Sequence, residues 1–110
     1  MSEFNSFVID SIKRNSLDAV VLKLKVKPEL KRLYQFSAGQ YVILELEING
    51  VSVRRSYSIC SEPNAESFEV GIKKVKNGIF STYANEKLRI SDSIKVGTPN
   101  GRFIWEPNEN

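Results

Sequence analysis

The chain has 110 residues, 41% of them hydrophobic and 26% charged, which is typical of one globular domain with its own core. The net charge of +3 and the pI near 9.1 are mildly basic and suit an anionic ligand or an acidic partner. One cysteine and no histidine exclude an internal disulfide, a four-thiolate iron–sulfur site and imidazole metal sites, so we expect no metal.

Alternating apolar residues predict strands along the first half of the chain. Phe7 and Ile9 predict an N-terminal strand that turns near residues 14–16. Apolar residues at every second position of 20–26 predict a strand with a lysine-lined outer face. The same alternation over 42–48 leads into Asn49-Gly50, the pair typical of a type I′ hairpin turn. The return strand is expected to run until Pro63.

The second half continues the pattern. Phe68, Val70 and Ile72 predict one strand, residues 94–96 predict a short one, and residues 80–88 predict the only helix, capped by Phe80 or Ser81. About six short strands and one short helix favour an all-β fold, a small antiparallel barrel or sandwich. No strand–Gly-x-Gly-x-x-Gly–helix unit is found, which excludes a Rossmann dinucleotide domain.

Two further expectations concern the ends of the chain and its location in the cell. Residues 1–105 are expected to form the barrel, and residues 106–110 a polar tail or the start of a linker. Residues 1–6 do not resemble a signal peptide and the longest apolar run, 19–22, is too short to span a membrane, so we expect a cytoplasmic protein. Cys60 is expected to fill core space as a small hydrophobe.

Arg55, Tyr57 and Ser58 form the first candidate binding segment. Residues two apart on a strand share a face, so the arginine fork and the tyrosine ring are expected side by side. Such a pair can grip a phosphate and stack on a planar heterocycle, while Ser58 meets the polar edge of that ring. The alternative from spacing alone is a surface arginine beside a barrel tyrosine.

Residues 78–82, Gly-Ile-Phe-Ser-Thr, form the second candidate segment. Glycine allows close approach to a phosphate, and a helix N-terminus presents free N–H groups and partial positive charge. Ser81 and Thr82 add hydroxyl donors. The alternative is an ordinary helix start, and the nearby Lys74 and Lys76 are taken as a solvated face.

Together the two segments resemble the FAD-binding barrel of the ferredoxin–NADP reductase superfamily. Its signature, Arg-x-Tyr-Ser followed by a glycine turn with a serine at the helix start, corresponds to residues 55–58 and 78–81. Residues 36–42, 57–63 and 98–103 also match, in the expected order along nearly the whole chain. The resemblance implies a six-stranded antiparallel Greek-key barrel with one short helix that binds FAD.

The resemblance also implies a role for each site residue. Arg55 would bind the pyrophosphate, Tyr57 would stack on the isoalloxazine, and Ser58, the catalytic candidate, would lie near flavin N5. The remaining residues would contact the flavin through backbone or hold the pyrophosphate at the helix start: Ile72, Lys73, Gly78, Phe80, Ser81 and Thr82. Asn77 and Ser91 stand where relatives often carry glycine.

Residues 71–75 and 80–85 are most similar to the reductase subunit of phenylacetyl-CoA oxygenase (epoxidase). The implied function is an NAD(P)H-dependent oxidoreductase that passes electrons through FAD to an iron–sulfur and an oxygenase partner. An NAD(P)H-binding domain would be a separate part, so the barrel alone is expected to be catalytically incomplete.

Two rival functions are weighed against this one. A nucleic-acid-binding barrel fits the basic pI, but Glu45 and Glu47 near Tyr41 would repel phosphates. A non-catalytic docking module would have lost the ligand, which the intact Arg55 and Tyr57 argue against. The sequence does not distinguish FAD from FMN, since no residue is seen to read the adenine. The choice between NADH and NADPH would be made in the NAD(P)H-binding domain.

Overall fold

The computed structural model describes residues 4–37, 39–63 and 66–99. The predicted boundary at residue 105 and the tail at 106–110 lie outside these ranges. The described elements are six strands, one α-helix and a 3-10 helix: β1 Phe4–Ser16, β2 Ala19–Lys25, the 3-10 helix Pro28–Leu30, β3 Tyr41–Ile48, β4 Val51–Ser58, β5 Ser67–Lys73, α1 Ile79–Glu86 and β6 Ser93–Gly97. The predicted all-β class with a single short α-helix is confirmed.

Strand β1 connects the two halves of the sheet. The strands are hydrogen-bonded antiparallel in the order β4-β3-β6-β1-β2-β5. Residues 4–8 of β1 pair with β6, whereas the residues from Ile9 onwards pair with β2, with a register shift between Ile9 and Ser11. A bridge between Ile59 and Val70 then links the two ends of the sheet. The sheet therefore curls into the antiparallel barrel that the sequence predicts.

The β3–β4 hairpin has the predicted turn. Asn49 and Gly50 have φ of 54° and 80°, and positive φ at both central positions is what a type I′ turn requires. This turn fixes the register in which Val42 faces Tyr57 and Leu44 faces Arg55. The β1–β2 turn lies at residues 17–18, slightly later than predicted.

The barrel interior is filled by the alternating apolar residues. Phe7, Leu22, Phe68 and Val70 are almost completely buried, as expected from their periodicity. Tyr34, which follows the 3-10 helix, was not predicted to be a core residue but is only 2% exposed. Its hydroxyl donates a hydrogen bond of 2.5 Å to the carbonyl of Val96, which satisfies the buried polar group.

The predicted position of Cys60 in the core is wrong. Cys60 is exposed, although its backbone N–H donates to the carbonyl of Glu69 at 2.9 Å. Its neighbour Ile59 is buried, and successive side chains of an extended segment point to opposite faces. The alternation therefore turns the Cys60 thiol outward.

Helix α1 begins earlier than predicted. Its N-cap is Gly78, so the expectation of Phe80 or Ser81 near the cap is wrong. The Ser81 hydroxyl instead accepts a hydrogen bond from the Val75 N–H at 3.0 Å, which ties the first turn of the helix back to the preceding loop. The helix ends at Glu86, before the predicted Leu88. Across the described ranges, no helix combines the length and apolarity needed to cross a membrane.

Candidate functional site

The edge strand β4 places Arg55 and Tyr57 on the same face. Val53 and Tyr57 pack against the core, and Arg55 lies between them in the alternation. The Arg55 side chain is exposed and donates to the Arg54 carbonyl at 2.6 Å. The guanidinium is accessible to solvent and held by a single described hydrogen bond to backbone, and its charge acts on the neighbouring Tyr57 phenol.

Arg54 is the structural counterpart of Arg55 on the opposite face. Its Nε lies 2.6 Å from the Glu45 carboxylate, and its guanidinium lies over the Phe4 ring, 4.2 Å from the centroid. An ion pair and a cation–π contact hold this side chain on the sheet. Of the two adjacent arginines, Arg55 is the one on the Tyr57 side of the strand.

Tyr57 connects β4 to helix α1. Its ring lies 5.6 Å from the Phe80 ring, centroid to centroid, at an interplanar angle of 38°. Burial raises the pKa of the Tyr57 phenol, and the positive charge of Arg55 opposes that rise. Tyr57 is therefore neutral at physiological pH, and its partly exposed ring can stack on a planar ligand.

The first turn of α1 supplies the donors of the site. The helix's first hydrogen bond runs from the Thr82 N–H to the Gly78 carbonyl at 3.0 Å. The N–H groups of Ile79, Phe80 and Ser81 precede it and have no acceptor within the helix. These N–H groups and the positive end of the helix dipole favour an anion at this end of the helix.

Gly78 lies in a closely packed turn before α1 that favours glycine. A Cβ atom at this position would overlap Val75 Cγ2 and would lie 2.6 Å from Ser81 Oγ. The φ of Gly78 is −84°, so the preference for glycine here comes from crowding and not from backbone conformation. The preceding Asn77 has φ of 63°, a left-handed conformation that asparagine tolerates, which explains why it can replace a glycine.

Asn85 holds the helix against the barrel and was missed by the sequence analysis. Its Nδ2 donates to the carbonyls of Ile72 and Ser81 at 3.1 and 2.9 Å. Arg14 donates in turn to the Asn85 side-chain oxygen and carbonyl at 3.1 and 2.6 Å. Since the only sequence signal was an asparagine near a helix end, no pattern distinguished it from a cap residue.

The structure brings only some of the predicted site residues together. Tyr57 and Phe80 are in contact, and Ile72 and Ser81 are buried and share the Asn85 amide. Ser58, by contrast, is exposed at the end of β4, opposite Tyr41.

The remaining predicted residues lie at the edges of this region. Lys73 is exposed at the end of β5, and Thr82 is partly buried in the first turn of α1. The Ser81 hydroxyl accepts from the Val75 N–H at 3.0 Å and donates to the Gly78 carbonyl at 3.5 Å, so the Ser81 backbone N–H is the donor that remains for a phosphate.

These features fit a flavin nucleotide. The cation of Arg55, the ring of Tyr57 and the donor-rich helix start occupy one side of the barrel. A phosphate fits the arginine and the N–H groups, and a flat ring fits the tyrosine. The fold and the site together define a flavin-binding β-barrel.

Comparison with known proteins agrees with this class. The model of the oxidoreductase FAD-binding domain family matches residues 6–105, and the chain belongs to this family. FAD is therefore its cofactor. The ferredoxin reductase-like character expected from the motifs is confirmed.

Two curated relatives illustrate the family. One component of the 1,2-phenylacetyl-CoA epoxidase of Escherichia coli is 32% identical over 107 residues, which cover 97% of this chain and 30% of the relative. The glycine betaine monooxygenase reductase subunit of Chromohalobacter salexigens is 40% identical over 72 residues, 64% of this chain and 20% of the relative. The chain thus spans about a third or less of these two relatives.

Among solved structures, a ferredoxin NADP+ reductase from Neisseria gonorrhoeae with bound FAD and NADP shares the fold. Its TM-score is 0.77 at 20% identity, and the match covers 92% of this chain and 39% of that one.

Proposed function

We propose that this chain is the FAD-binding part of a cytoplasmic NAD(P)H-dependent reductase. It passes electrons from NAD(P)H through FAD to an iron–sulfur domain or protein and an oxygenase, in phenylacetate degradation. The similarity to the phenylacetyl-CoA epoxidase component supports the pathway, and both curated relatives named above belong to oxygenase systems. The single cysteine suits a reducing compartment.

The contact between Tyr57 and Phe80 carries the proposal. It brings the strand that holds Arg55 against the first turn of α1, so that a cation, an aromatic face and unpaired helix N–H groups meet on one side of the barrel. Each of these features alone is common in proteins. Their combination beside the closely packed Gly78 turn supports a bound nucleotide.

Each residue has a distinct role in this proposal. Arg55 exchanges its contact with the Arg54 carbonyl for the pyrophosphate, which also accepts from the N–H groups of Ile79, Phe80 and Ser81. Tyr57 covers one face of the isoalloxazine and excludes water from it. Ser58, the next residue along the strand, offers its hydroxyl to the ring edge near N5. The backbone of Ile72 and Lys73 borders the ring from β5.

When bound, FAD supplies the redox chemistry, since it accepts a hydride and releases electrons one at a time. The protein's own contribution is to hold the ring in position and to leave one edge accessible. No general acid or base among the residues is needed for this role. The NAD(P)H-binding domain and the iron–sulfur partner complete the activity.

Flavin titration of two arginine variants tests the site. We expect Arg55→Ala to weaken FAD binding about tenfold to a hundredfold, because it removes a charge-assisted contact to phosphate. Arg54→Ala is the matched control, since it removes the same charge from the opposite face. Equal FAD affinity in wild type and Arg55→Ala, measured by fluorescence quenching, would rule out the phosphate role.

A growth experiment tests the pathway separately from the cofactor. Deletion of the coding sequence is expected to abolish growth on phenylacetate as sole carbon source, with growth on acetate retained. Restoring the wild-type sequence should restore growth, while restoring the Arg55→Ala variant should do so poorly. Unchanged growth of the deletion strain on phenylacetate would contradict the pathway but not FAD binding.

A further inference from the structure

Arg14, near the end of strand β1, joins that strand to the last turn of helix α1, and no sequence motif assigned it a role. Its guanidinium donates to the side-chain oxygen and the carbonyl of Asn85 at 3.1 and 2.6 Å. It also donates to the carbonyls of Ser16 and Leu17 at 3.4 and 3.3 Å. A cation that binds carbonyls of the last turn stabilises that end of a helix, so Arg14 holds α1 in place.

The Asn85 amide extends this contact to strand β5. Its oxygen accepts from Arg14, and its nitrogen donates to the carbonyls of Ile72 and Ser81. Consecutive hydrogen bonds polarise one another, by roughly 10–30% per bond, and the charge of an arginine strengthens the first of them. The peptide group between Ile72 and Lys73 therefore has a larger dipole than an ordinary strand peptide, and its N–H is a stronger donor.

The N–H of this peptide belongs to Lys73 and points away from β2. In an antiparallel strand, the N–H and C=O groups of successive residues point to opposite edges. The Lys74 N–H donates to the Asp18 carbonyl, next to the start of β2, at 2.6 Å. The Glu69 carbonyl instead accepts from the Cys60 N–H, just beyond β4, at 2.9 Å. Lys73 has the same phase as Glu69, so its N–H faces the edge of β5 that borders β4.

Strands β4 and β5 face each other with unpaired edges at this point. Within the described residues the bridge between Ile59 and Val70 is isolated, so the strand residues next to it are not paired. If the antiparallel register of this bridge is continued, Lys73 lies opposite Ser56, the neighbour of Tyr57. The Lys73 N–H therefore points to the space beside Tyr57, where the isoalloxazine is proposed to lie.

We propose that Arg14 is a positioning residue for the flavin and raises the reduction potential of bound FAD. Through the Asn85 amide it holds and polarises the peptide between Ile72 and Lys73, whose N–H donates to the polar edge of the isoalloxazine. A donor at this edge stabilises the electron-rich reduced flavin more than the oxidised flavin. The inference rests on the proposed function, because it requires the ring to lie between Tyr57 and β5.

The test compares the reduction potential of FAD bound to the full wild-type chain and to its variants, by reductive titration against a reference dye. We expect Arg14→Ala to weaken the binding of reduced FAD about threefold to tenfold more than that of oxidised FAD, which lowers the potential by about 15–30 mV for a two-electron couple. Lys13→Ala is the matched control, because Lys13 is exposed, precedes Arg14 in β1 and carries the same charge. It should leave the potential unchanged.

Two further variants test the route through Asn85. Arg14→Lys should restore most of the lost potential, because lysine keeps a charged donor for the Asn85 oxygen. In a chain that already carries Asn85→Ala, the Arg14→Ala substitution should have no further effect on the potential, since the amide that connects Arg14 to Ile72 is gone.

The outcomes separate a role toward the flavin from a structural role. A lower potential in Arg14→Ala that disappears in the Asn85→Ala background supports the assignment. A wild-type potential in Arg14→Ala, an equal shift in Lys13→Ala, or additive effects of the two substitutions overturns it. If circular dichroism shows that Arg14→Ala is unfolded, Arg14→Gln takes its place under the same criteria, since glutamine keeps a neutral donor. A wild-type chain that binds no FAD overturns the proposed function together with this inference.

Discussion

The Asn85 side chain donates a hydrogen bond of 3.1 Å to the carbonyl of Ile72, and thereby joins helix α1 to strand β5. The same amide nitrogen donates to the Ser81 carbonyl one turn earlier, and Arg14 donates to the amide oxygen. Asn85 is only 8% exposed, so these groups have little access to water. This amide therefore fixes the position from which the helix start faces a ligand.

We expect Asn85→Ala to lower the free energy of unfolding by about 2 kcal/mol, because it leaves the Ile72 carbonyl without its amide partner. Urea denaturation followed by circular dichroism measures this loss. Gln35→Ala, at an exposed amide, is the control and should change stability by less than about 0.5 kcal/mol. A similar small effect for both variants would show that Asn85 does not anchor the helix.

Gly78→Ala is expected to damage the turn before α1. The added methyl would displace the Ser81 hydroxyl from the Val75 N–H, with a loss of about 1–2 kcal/mol in stability and about tenfold in FAD affinity. Gly71→Ala is the matched control, since a Cβ there meets no atom within 4 Å. Denaturation should show a lower free energy of unfolding for Gly78→Ala than for Gly71→Ala, and flavin titration should show a weaker FAD affinity. If both bind FAD like the wild type, the close packing at Gly78 is not needed for the cofactor.

The raised pKa of the Tyr57 phenol predicts that the free energy of unfolding declines at alkaline pH. Its pKa in the folded protein is raised above the ordinary 10.0, chiefly by burial, so the folded state holds this proton more tightly than the unfolded state. The contribution of Tyr57 to the free energy of unfolding is therefore fully present below pH 10 and is lost as the pH rises through the folded-state pKa. The free energy of unfolding of wild type minus that of Tyr57→Phe should fall above about pH 10. A difference that stays constant to about pH 11 would contradict this pKa direction.

Ser91→Gly is expected to stabilise the protein. Ser91 has φ of 80°, a left-handed conformation that costs a residue with a side chain about 1–2 kcal/mol. Glycine removes this cost but loses about 0.5–1 kcal/mol of chain entropy, so a net gain of about 0.5–1 kcal/mol remains. Ser93→Gly, the same change within strand β6, should instead destabilise. Thermal unfolding compares the two, and a lower melting temperature for Ser91→Gly would refute the argument.

Much of the barrel was predictable because local signals and tertiary structure agree. The alternation in residues 42–48 and the Asn49-Gly50 pair specify the hairpin without help from the rest of the chain. Residues 68–72 likewise have one buried face whatever their partners are. The same regularity placed Arg55 and Tyr57 on one face of β4, which is the basis of the candidate site.

The features that were missed depend on contacts between distant segments. The Tyr34 hydroxyl can be buried because it bonds to the carbonyl of Val96, 62 positions along the chain, and no local pattern encodes such a partner. Asn85 has its role only because Ile72 and Arg14 lie beside it. Cys60 was placed in the core from its residue type, whereas its position after a buried isoleucine decides its exposure.

Strand β1 pairs with both β2 and β6, and this affects how the chain folds. Its first residues pair with the last described strand, Phe4 opposite Gly97, so this part of the barrel cannot form until residues 93–97 have left the ribosome. Such long-range pairing is typical of domains that fold in milliseconds to seconds. Until then the edges of β1 and β3 remain unpaired and can associate with other chains. Conditions that slow the synthesis of residues 93–97 should therefore increase aggregation of the nascent protein.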